Sequence, residues 1–508
     1  MSDNQPHYFR PQWITPTDER LDVDVCVYGG TAAGVIAAAT ASAAGMSVAL
    51  LNPATTLGGM TTGGLGRTDA GDKSAIDDAA LKFYRAIGGE YGTDEVWNFE
   101  PGVAQRVIDR YAKESGATIR PCQFLHAADL DADGRINEVV MLGGLRCRAR
   151  MFLDCTYEGD LMAAAGVPYV VGRESNATFG ETLNGAHVGP KHQFPRPVDP
   201  FITPGVPHAG LLPGIESRAD TPVGTGDHHV QAYNFRLCLT DDPDLRVDID
   251  PPAGYDRQHY ELAARWLATS EPGDLNYPLW LEDNAGRGLV KGEPRRFDRL
   301  HAHHKTDTNN HGAVSTDFVG GGDAWPEGDY AQREAIFQRH VAYTRGLLHF
   351  FQTNPAVPDV FRREYARWGL AGDEFTDTGH WPHQLYIREA RRMRGDYVLT
   401  EHDIRGDRKC DDPVALGSYQ MDSHNCRRVL RLDPQPHVIN EGDVQHPAAG
   451  PYPISRRCIT PPAGSCPNLL VPVCVSASHI AFGSVRMEPV FIQLGAAAAR
   501  IAAETIRA

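Results

Sequence analysis

The feature that most constrains the fold is a glycine turn between a β-branched run and an alanine-rich segment near the start of the chain. Val23, Val25 and Val27 predict a strand, residues 31–44 predict a helix, and residues 46–51 predict a second strand. This order is a βαβ unit, whose first turn directs backbone N–H groups and the positive helix end at a diphosphate. The sequence therefore predicts an α/β fold with a nucleotide-binding turn. An ordinary βα turn without a nucleotide is the alternative.

The turn sequence GGTAAG at residues 29–34 departs from the G-x-G-x-x-G dinucleotide fingerprint at one position. Gly29 and Gly34 occupy the first and third glycine positions, but Thr31 stands at the second, where glycine allows the backbone to approach a diphosphate. Threonine is compatible with binding if its side chain turns away. Asn52 ends the second strand, where an acidic residue usually binds the ribose, and its amide oxygen can accept a hydrogen bond from a ribose hydroxyl.

Composition excludes several classes of partner. The net charge of −16 argues against nucleic acid or an anionic membrane. No segment has the apolar length of a membrane span, and residues 1–20 lack the apolar centre of a secretory signal. Ten scattered cysteines without a C-x-x-C pair indicate reduced thiols. We therefore expect a cytoplasmic protein that acts on a small-molecule substrate, and leave a homo-oligomer open.

A second glycine-rich segment, LGGMTTGG at residues 57–64, follows the second strand. A segment so poor in side chains is expected where backbone lies flat against a ligand. It lies at the face toward which a nucleotide would extend, which favours a ligand site over a flexible surface loop.

The rest of the chain predicts a mixture of helices, a hairpin and an irregular middle. A hairpin is predicted from residues 118–131 and 138–150 about an Asp-Ala-Asp-Gly turn, and Asp160 is predicted to cap a helix that follows a strand ending at Asp154. Residues 468–475 predict a buried strand, residues 476–484 a polar turn, and Arg486 leads into a final helix. Residues 287–292 are interpreted as a loop. Other predicted helices cover residues 78–86, 103–115, 259–269, 330–352 and 384–394.

Seven blocks in this order resemble a known family, the FAD-dependent oxidoreductases whose members are often labelled xanthan-lyase-related. The blocks are YGGTAAG (28–34), LGGMTTGG (57–64), TYEGD (156–160), KTDTNN (305–310), HQLYIREARR (383–392), MDSHN (421–425) and SHIAFGSVRMEP (478–489). The resemblance implies a Rossmann-like, glutathione-reductase-type FAD domain interleaved with an α+β substrate domain. The expected boundaries are residues 22–169 and 463–508 for the FAD domain and residues 170–462 for the substrate domain.

The resemblance gives each block a task toward FAD. The first turn should hold the diphosphate, Asn52 the adenosine ribose, Leu125 the adenine, and the second glycine segment the ribityl chain and isoalloxazine. The final helix should direct its positive end at the pyrimidine edge of the flavin, helped by Arg486, unless Arg486 and Glu488 are only a structural pair. The cofactor residues expected on this basis are Gly29, Gly30, Thr31, Ala32, Ala33, Gly34, Asn52, Gly58, Gly59, Met60, Thr61, Thr62, Gly63, Gly64, Leu125, Asp154, Thr156, Asp160, Arg486 and Glu488.

A flavin that oxidises an alcohol or amine also needs a base for the departing proton. His424 and His479 are the predicted catalytic histidines, with Asn425 as a polar partner. The predicted substrate-binding residues are Lys305, Asp307 and Arg388, although an ion-paired helix face is the more ordinary meaning of the arginine-rich segment. The cluster of His301, His303, His304, Asp307 and His311 fits no strong zinc signature, so no metal is expected.

Three functions compete at this point. The first is an FAD-dependent oxidase or dehydrogenase that abstracts hydride from a small polar substrate such as a sugar or glycoside-like compound. The second is a polysaccharide lyase or metal-assisted hydrolase that uses the region from His301 to His311. The third is a flavin-binding protein without catalysis. Flavin colour separates the second from the others, and bleaching by substrate separates the first from the third.

Overall fold

The computed structural model describes residues 4–217, 221–270, 280–281 and 305–508. The helices in these residues are α1 (Ala32–Ala43), α2 (Asp78–Glu90), α3 (Pro101–Ser115), α4 (Asp160–Ala164), α5 (Asn176–Phe179), α6 (Glu261–Thr269), α7 (Tyr330–Thr353), α8 (Asp359–Tyr365), α9 (Glu401–Ile404), α10 (His479–Val485) and α11 (Glu488–Arg507). The strands are β1 (Arg20–Tyr28), β2 (Val48–Leu51), β3 (Thr118–Arg120), β4 (Leu125–Leu130), β5 (Ile136–Met141), β6 (Arg146–Asp154), β7 (Tyr169–Val170), β8 (Leu239–Thr240), β9 (Arg246–Val247), β10 (Trp280–Leu281), β11 (Lys305–Thr306), β12 (Thr308–Asn309), β13 (Gly369–Ala371), β14 (Arg392–Met393), β15 (Pro413–Gly417), β16 (Met421–Ser423), β17 (Arg427–Arg431), β18 (His437–Glu441), β19 (Val444–His446), β20 (Tyr452–Ser455) and β21 (Leu469–Leu470).

One mixed sheet is built around β1. Its strands run in the order β3-β2-β1-β6-β5-β4, and β21 pairs with the far end of β6. Strand β1 is parallel to β2 and to β6, with Val25 opposite Val48 on one side and Met151 on the other. The predicted βαβ unit is therefore confirmed. All four residues of β2 and the last four of β1 are buried, as expected for central parallel strands.

The last helix packs closely on the first. Helix α1 is rich in alanine, and α11 carries a glycine where the two meet. A Cβ atom on Gly495 would overlap the carbonyl oxygen of Ala33, so only glycine allows this approach. Small side chains on both helices thus bring the two distant ends of the chain together beside β1.

The hairpin predicted about the Asp131 turn is confirmed for β4 and β5, which are antiparallel. The predicted segments are longer than these strands, because residues 118–120 form β3, parallel to β2, and residues 146–150 belong to β6. The Asp131 carboxylate accepts hydrogen bonds from the backbone N–H groups of Asp133 and Arg135, both at 2.9 Å, which fixes the turn. In the middle of the chain, α7 begins with a capping box between Asp329 and Gln332. The middle and later parts of the chain also form short two-stranded and four-stranded sheets.

Four local predictions are wrong. Residues 384–391 are not helical, because charged and apolar side chains alike from Ile387 to Arg392 are buried against partners on several sides, which leaves no solvent-facing helical surface. The predicted polar turn at 476–484 contains α10, capped by the Ser478 hydroxyl. The predicted strand at 468–475 is reduced to β21. Gly159, with φ of 70°, occupies the cap position expected for Asp160.

None of the helices in the described part of the chain is both long enough and apolar enough to cross a lipid bilayer.

Candidate functional site

The turn after β1 has the backbone of a nucleotide-binding turn. Gly29 has φ of 99°, and a Cβ there would lie 2.7 Å from the carbonyl carbon of Cys155. A Cβ on Gly34 would overlap the carbonyl oxygen of Gly29. The first and third glycine positions are therefore required by the turn itself. The start of α1 faces the turn and presents the positive end of the helix to it.

The threonine at the second glycine position turns its side chain into the protein. The Thr31 hydroxyl donates to the carbonyl oxygen of Cys155 at 2.8 Å and accepts from the Gly34 N–H at 3.3 Å. The hydroxyl thus caps α1 and ties it to the end of β6. Because its side chain points into the protein, threonine at this position is compatible with diphosphate binding.

The side chain of Asn52 holds the loop that follows β2. Its amide oxygen accepts from the Gly30 N–H at 2.9 Å, and its amide nitrogen donates to the carbonyl oxygens of Ala54 and Thr56 at 3.0 and 2.7 Å. A carbonyl oxygen has two lone pairs, so the Asn52 oxygen retains one for a ligand hydroxyl. Its contact with a ribose stays a prediction.

The second glycine segment meets the start of α11 through three side chains. The Thr61 hydroxyl donates to one oxygen of Glu488 at 2.7 Å, and the Tyr157 hydroxyl donates to the other at 2.7 Å. Tyr157 also accepts from the Met60 N–H at 3.0 Å. A Cβ on Gly59 would lie 2.5 Å from the Tyr157 hydroxyl oxygen. Segments distant in sequence therefore share one buried junction.

Burial raises the pKa of Glu488 to about 7, although the hydrogen bonds from Tyr157 and Thr61 favour its charged form. The carboxyl group therefore titrates near neutral pH rather than near pH 4.5. When protonated, it removes a negative charge from the beginning of α11.

A cavity of about 670 Å³ lies beside the first turn, and we call it the first cavity. This volume includes space that is open to solvent. Of the predicted cofactor residues, those that line it are Gly29, Gly30, Thr31, Asn52, Gly59 and Thr156. Other lining residues were not predicted: His7, Tyr8, Trp13, Pro53, Ala54, Thr55, Thr56, Tyr157, Glu158, His383, Gln384 and Leu385.

The remaining predicted cofactor residues do not line the first cavity. Ala32, Ala33 and Gly34 form the first turn of α1, and Leu125 donates its N–H to the Tyr28 hydroxyl at 3.1 Å. Gly58, Met60, Thr61, Thr62, Gly63 and Gly64 continue the second glycine segment.

Two of the predicted cofactor residues are aspartates whose carboxylates bind other groups of the protein. Asp154 accepts from the Thr156 hydroxyl at 2.6 Å and from the Met162 N–H at 2.8 Å, and its burial raises its pKa to about 6. Asp160 forms ion pairs with Arg333 at 2.7 Å and Arg391 at 2.8 Å. Burial alone would raise the pKa of Asp160, but the two guanidinium groups hold it below its usual value.

A second cavity of about 1,030 Å³ has a polar wall. Its lining includes His424 and Arg486 among the predicted residues, together with Asp422 and Tyr386, which were not predicted. The Arg486 guanidinium donates to the Tyr386 hydroxyl at 2.9 Å and to the Asp422 carboxylate at 3.3 Å. The buried Nε of Arg486 has no hydrogen-bond acceptor among the described residues. The cavity thus joins the residues just before α11 to the end of β16.

His424 is held between two carboxylates at the wall of the second cavity. Its Nδ1 lies 2.7 Å from Asp317, and its Nε2 lies 3.7 Å from Asp422. Asp317 in turn forms an ion pair with Arg388 at 3.1 Å. Because Asp317 can only accept, Nδ1 of His424 carries the hydrogen and Nε2 of the neutral ring keeps its lone pair. Sequence patterns gave no signal for Asp317.

Neighbouring charged groups determine the protonation state of Asp422. Burial would raise its pKa, but the neighbouring His424 and the positive charges of Arg486 and Arg388 lower it to about 2. Asp422 is therefore a carboxylate at neutral pH. It would stabilise a protonated His424 ring.

The other predicted catalytic residues do not line either cavity. His479 is buried, with Nδ1 2.9 Å from both oxygens of Glu389 and Nε2 3.0 Å from the Ser423 hydroxyl. Asn425 is also buried, and its amide oxygen has no hydrogen-bond donor among the described residues. Their catalytic roles stay predictions.

The predicted substrate-binding residues lie outside the lining of the second cavity. Lys305 is buried and ion-paired with Glu100 and Asp373, both at 2.6 Å, and with Glu374 at 3.2 Å. Asp307 pairs with Arg236 and accepts from the Gly66 N–H at 3.1 Å, so it supports the second glycine segment. Arg388 stands behind Asp317.

The histidine cluster is only partly described. His301, His303 and His304 lie outside the described residues. Within the described ranges, the groups with metal-ligand spacing are Glu100, Asp373 and Glu374, and also His228, His229 and Asp323. The first group already surrounds the Lys305 ammonium. In the second group, Nδ1 of His229 lies 2.7 Å from the Asp323 carboxylate.

Comparison with known proteins identifies one family. A family model described as FAD dependent oxidoreductase matches residues 24–508, nearly the whole chain. No curated protein matches the sequence.

Several solved structures show partial similarity. An L-proline dehydrogenase from P. horikoshii is 14% identical over 31% of this chain and 59% of its own, with a TM-score of 0.25. A 3-ketosteroid-Δ4-(5α)-dehydrogenase from Rhodococcus jostii is 16% identical over 32% of this chain and 51% of its own, with a TM-score of 0.21. An L-amino acid deaminase from Proteus vulgaris is 16% identical over 32% and 55%, with a TM-score of 0.25. The chain spans little more than half the length of these structures.

Proposed function

The chain belongs to the FAD-dependent oxidoreductase family, and from that premise we propose that the first cavity holds FAD while the second holds a small polyhydroxylated substrate. His424 acts as the base for the proton that leaves when the substrate is oxidised. The observation that carries this proposal is the Asp317–His424 pair at 2.7 Å, which leaves Nε2 of His424 at the wall of the second cavity.

The residues of the first cavity fit FAD because Gly29, Gly30 and Gly59 line it without side chains, and neighbouring protein atoms leave no room for larger residues at Gly30 and Gly59. A Cβ on Gly30 would lie 2.5 Å from Leu57 and 2.8 Å from the Asn52 amide carbon. A Cβ on Gly59 would lie equally close to Tyr157. Residues 29–34 would hold the diphosphate, Asn52 the ribose, and residues 58–64 the ribityl chain and ring. The bound cofactor supplies a two-electron acceptor.

The glutathione-reductase-type division of the chain is part of the same proposal. Residues 22–169 and 463–508 form the FAD domain, and residues 170–462 form the substrate domain. Two contacts support this division: β21 pairs with β6, and Gly495 of α11 packs against Ala33 of α1.

The charges around the second cavity favour a neutral polar substrate. Four of its lining side chains already have an oppositely charged or hydrogen-bonded partner within the protein: Arg236 with Asp307, Arg486 with Asp422, His192 with Asp443, and His424 with Asp317. An ionic substrate would have to disrupt these pairs, whereas hydroxyl groups can both donate to and accept from them. Asn309, Gln420 and Gln445 add amide groups to the same wall. A sugar or glycoside-like compound has this chemistry.

The residues of the chain provide for proton transfer in the oxidation. Nε2 of His424 takes the proton of a substrate hydroxyl as the adjoining carbon gives up a hydride, and a carbonyl group forms. Asp317 and Asp422 stabilise the imidazolium that results. With FAD bound, Arg486 and the positive end of α11 would supply positive charge that favours the reduced, negatively charged cofactor.

An anaerobic substrate screen tests this proposal. The purified protein is expected to show flavin absorption bands, and sugars or other polyols are expected to bleach them, whereas acyclic carboxylates of equal size leave them unchanged. Bleaching by carboxylates alone would contradict the assigned substrate class. A flavin that no substrate bleaches would favour the non-catalytic alternative. Bound metal together with loss of activity on chelation would favour the lyase or hydrolase alternative.

A further inference from the structure

A segment at the start of the chain forms part of the first cavity although it precedes the Rossmann-like strand. We define residues 4–13 as the N-terminal strap. His7, Tyr8 and Trp13 of the strap line the same cavity as Gly30 and Asn52. The family model matches residues 24–508, so the strap lies outside the matched residues.

One carboxylate fixes the strap to α7. Glu334 accepts from the N–H groups of Tyr8 and Phe9 at 2.7 and 2.9 Å, and its other oxygen lies 2.6 Å from Nδ1 of His7. Gln338, one helical turn further along, donates to the carbonyl oxygen of Pro6 at 2.8 Å. Charge-assisted hydrogen bonds to two consecutive amides define a single backbone path.

Aromatic contacts hold the same path against the body of the protein. The Tyr8 ring packs edge-on against Trp325 at 4.7 Å between centroids, and the Phe9 ring packs against Phe124 at 4.8 Å. Phe124 directly precedes Leu125, the residue expected beside the adenine. The N-terminal strap is thus packed against the rest of the protein in a defined conformation.

We propose that the N-terminal strap is the wall of the FAD site on the adenosine side, with Trp13, Tyr8 and His7 covering that half of the cofactor. The inference rests on the proposed binding of FAD in the first cavity. The adenosine side is assigned because the strap shares the cavity with residues 52–56, which follow β2, and the ribose binds at the carboxyl end of that strand in Rossmann folds. Aromatic rings are suited to contact a nucleobase, whose face stacks on them.

The test measures cofactor affinity of the full chain after removal of the flavin. Glu334→Ala removes the anchor without removing a cavity residue, and Glu90→Ala is the matched control. Glu90 is comparably exposed on α2 and pairs with Arg106 and Arg110 away from both cavities. We expect Glu334→Ala to raise the dissociation constants of FAD and ADP at least about tenfold, a loss of about 1.4 kcal/mol. FMN affinity and the affinities of Glu90→Ala should stay within about twofold of the unchanged protein.

Two further measurements keep the outcome decisive. Trp13→Ala retains the anchor and should weaken ADP binding as well, which covers the case in which Glu334→Ala fails to fold. Hydrogen exchange of the peptide containing the Tyr8 and Phe9 amides should slow when ADP is added.

Each contrary result has a distinct meaning. If the unchanged protein binds FAD and both variants keep its FAD and ADP affinities, the proposed role of the N-terminal strap is overturned. The proposed function is then unaffected. Weaker FAD binding with unchanged ADP binding would overturn its assignment to the adenosine side. Failure of the unchanged protein to bind FAD would overturn both proposals.

Discussion

Two histidines expected to share the site, His424 and His479, have different surroundings. His424 lines the second cavity with its Nδ1 held by Asp317, whereas His479 is enclosed by Glu389 and Ser423. Only His424 can reach a molecule in the cavity without rearrangement of buried ion pairs. Proton transfer in the proposed reaction is therefore assigned to His424.

Replacement of His424 by alanine should slow flavin reduction by substrate about 10²- to 10⁴-fold, the usual contribution of a general base. Flavin content should stay unchanged, because His424 does not line the first cavity. Anaerobic stopped-flow absorbance measures both quantities. His437→Ala is the control, since this ring bonds to its own loop at the carbonyl oxygen of Gln435. Equal rates in the two variants would exclude His424 as the base.

In the proposed reaction Asp317 positions His424, so its replacement should change the imidazole tautomer as well as the rate. In Asp317→Asn, the side chain can donate as well as accept, and the Nδ1–H form loses its fixed partner. We expect the rate of flavin reduction to fall about 10- to 100-fold, less than for loss of the base itself. Nitrogen-15 NMR of labelled histidine should show a change in the His424 tautomer. A slower rate with an unchanged tautomer would indicate a purely structural role.

Glu488 makes stability depend on pH in a defined direction. Its pKa is about 7 in the folded protein against an ordinary value of 4.5, so the unfolded chain releases this proton first as pH rises. The contribution of Glu488 to stability is therefore lost between about pH 4.5 and 7, by about 3 kcal/mol at most. Relative to Glu488→Gln, the unchanged protein should melt at progressively lower temperature from pH 5 to pH 8. Parallel melting curves across this range would contradict the assignment.

Among the helices and strands, the first turn and α1 depend on a contact that no larger residue allows. Gly34→Ala places a methyl group on the carbonyl oxygen of Gly29, so we expect a lower melting temperature and reduced flavin content. Gly89→Ala in α2 is the matched control, because a Cβ there meets no atom within 4 Å. The control should retain flavin and gain up to about 1 kcal/mol from helix propensity. Equal flavin loss in both variants would contradict the conclusion that the turn requires glycine at position 34.

Elements with a regular pattern were predictable from sequence, and elements stabilised by distant partners were not. The β1–α1–β2 unit, the β4–β5 hairpin and α7 follow from β-branched runs, turn residues and helical spacing. Residues 384–391 carry a helix-like pattern but are not helical, because Arg388 and Glu389 bind Asp317 and His479. These partners lie about 70 and 90 residues away in the chain. Local periodicity contains no information about them.

The candidate site shows the same division. The first turn, the second glycine segment and His424 were found because their residue types carry chemistry or backbone freedom. Tyr157 and Glu158 were missed although they lie within a recognised block, since Asp154, Thr156 and Asp160 drew the assignment instead. His7, Tyr8 and Trp13 carry no motif at all. Only the folded path of the strap along α7 brings them to the cavity.

Across the whole chain, the first and last segments depend on each other. Of the 20 residues of α11, most are buried, and β21 supplies a neighbour for β6. A chain that ends at residue 462 loses both elements and exposes α1. We expect this truncated chain to bind no FAD and to unfold without a cooperative transition, as measured by fluorescence titration and calorimetry. FAD binding by the truncated chain would show that residues 22–169 are sufficient.

The thiols offer a second measurement on the intact molecule. All ten cysteines are free, eight of them buried, with Cys122 and Cys410 partly exposed. A thiol reagent should therefore modify about two groups rapidly in the folded protein and all ten in denaturant. A total below ten after denaturation would indicate disulfides that the structure does not contain.

Thr31 has a consequence for how nucleotide-binding turns are recognised in other chains. Its hydroxyl is engaged by the helix it caps and by the neighbouring strand end. What the turn demands at this position is therefore a residue whose bulk can be directed inward, and serine should serve as well as threonine. Search patterns that insist on three glycines would overlook such turns, whereas a pattern of two glycines around an inward-facing hydroxyl would retrieve them.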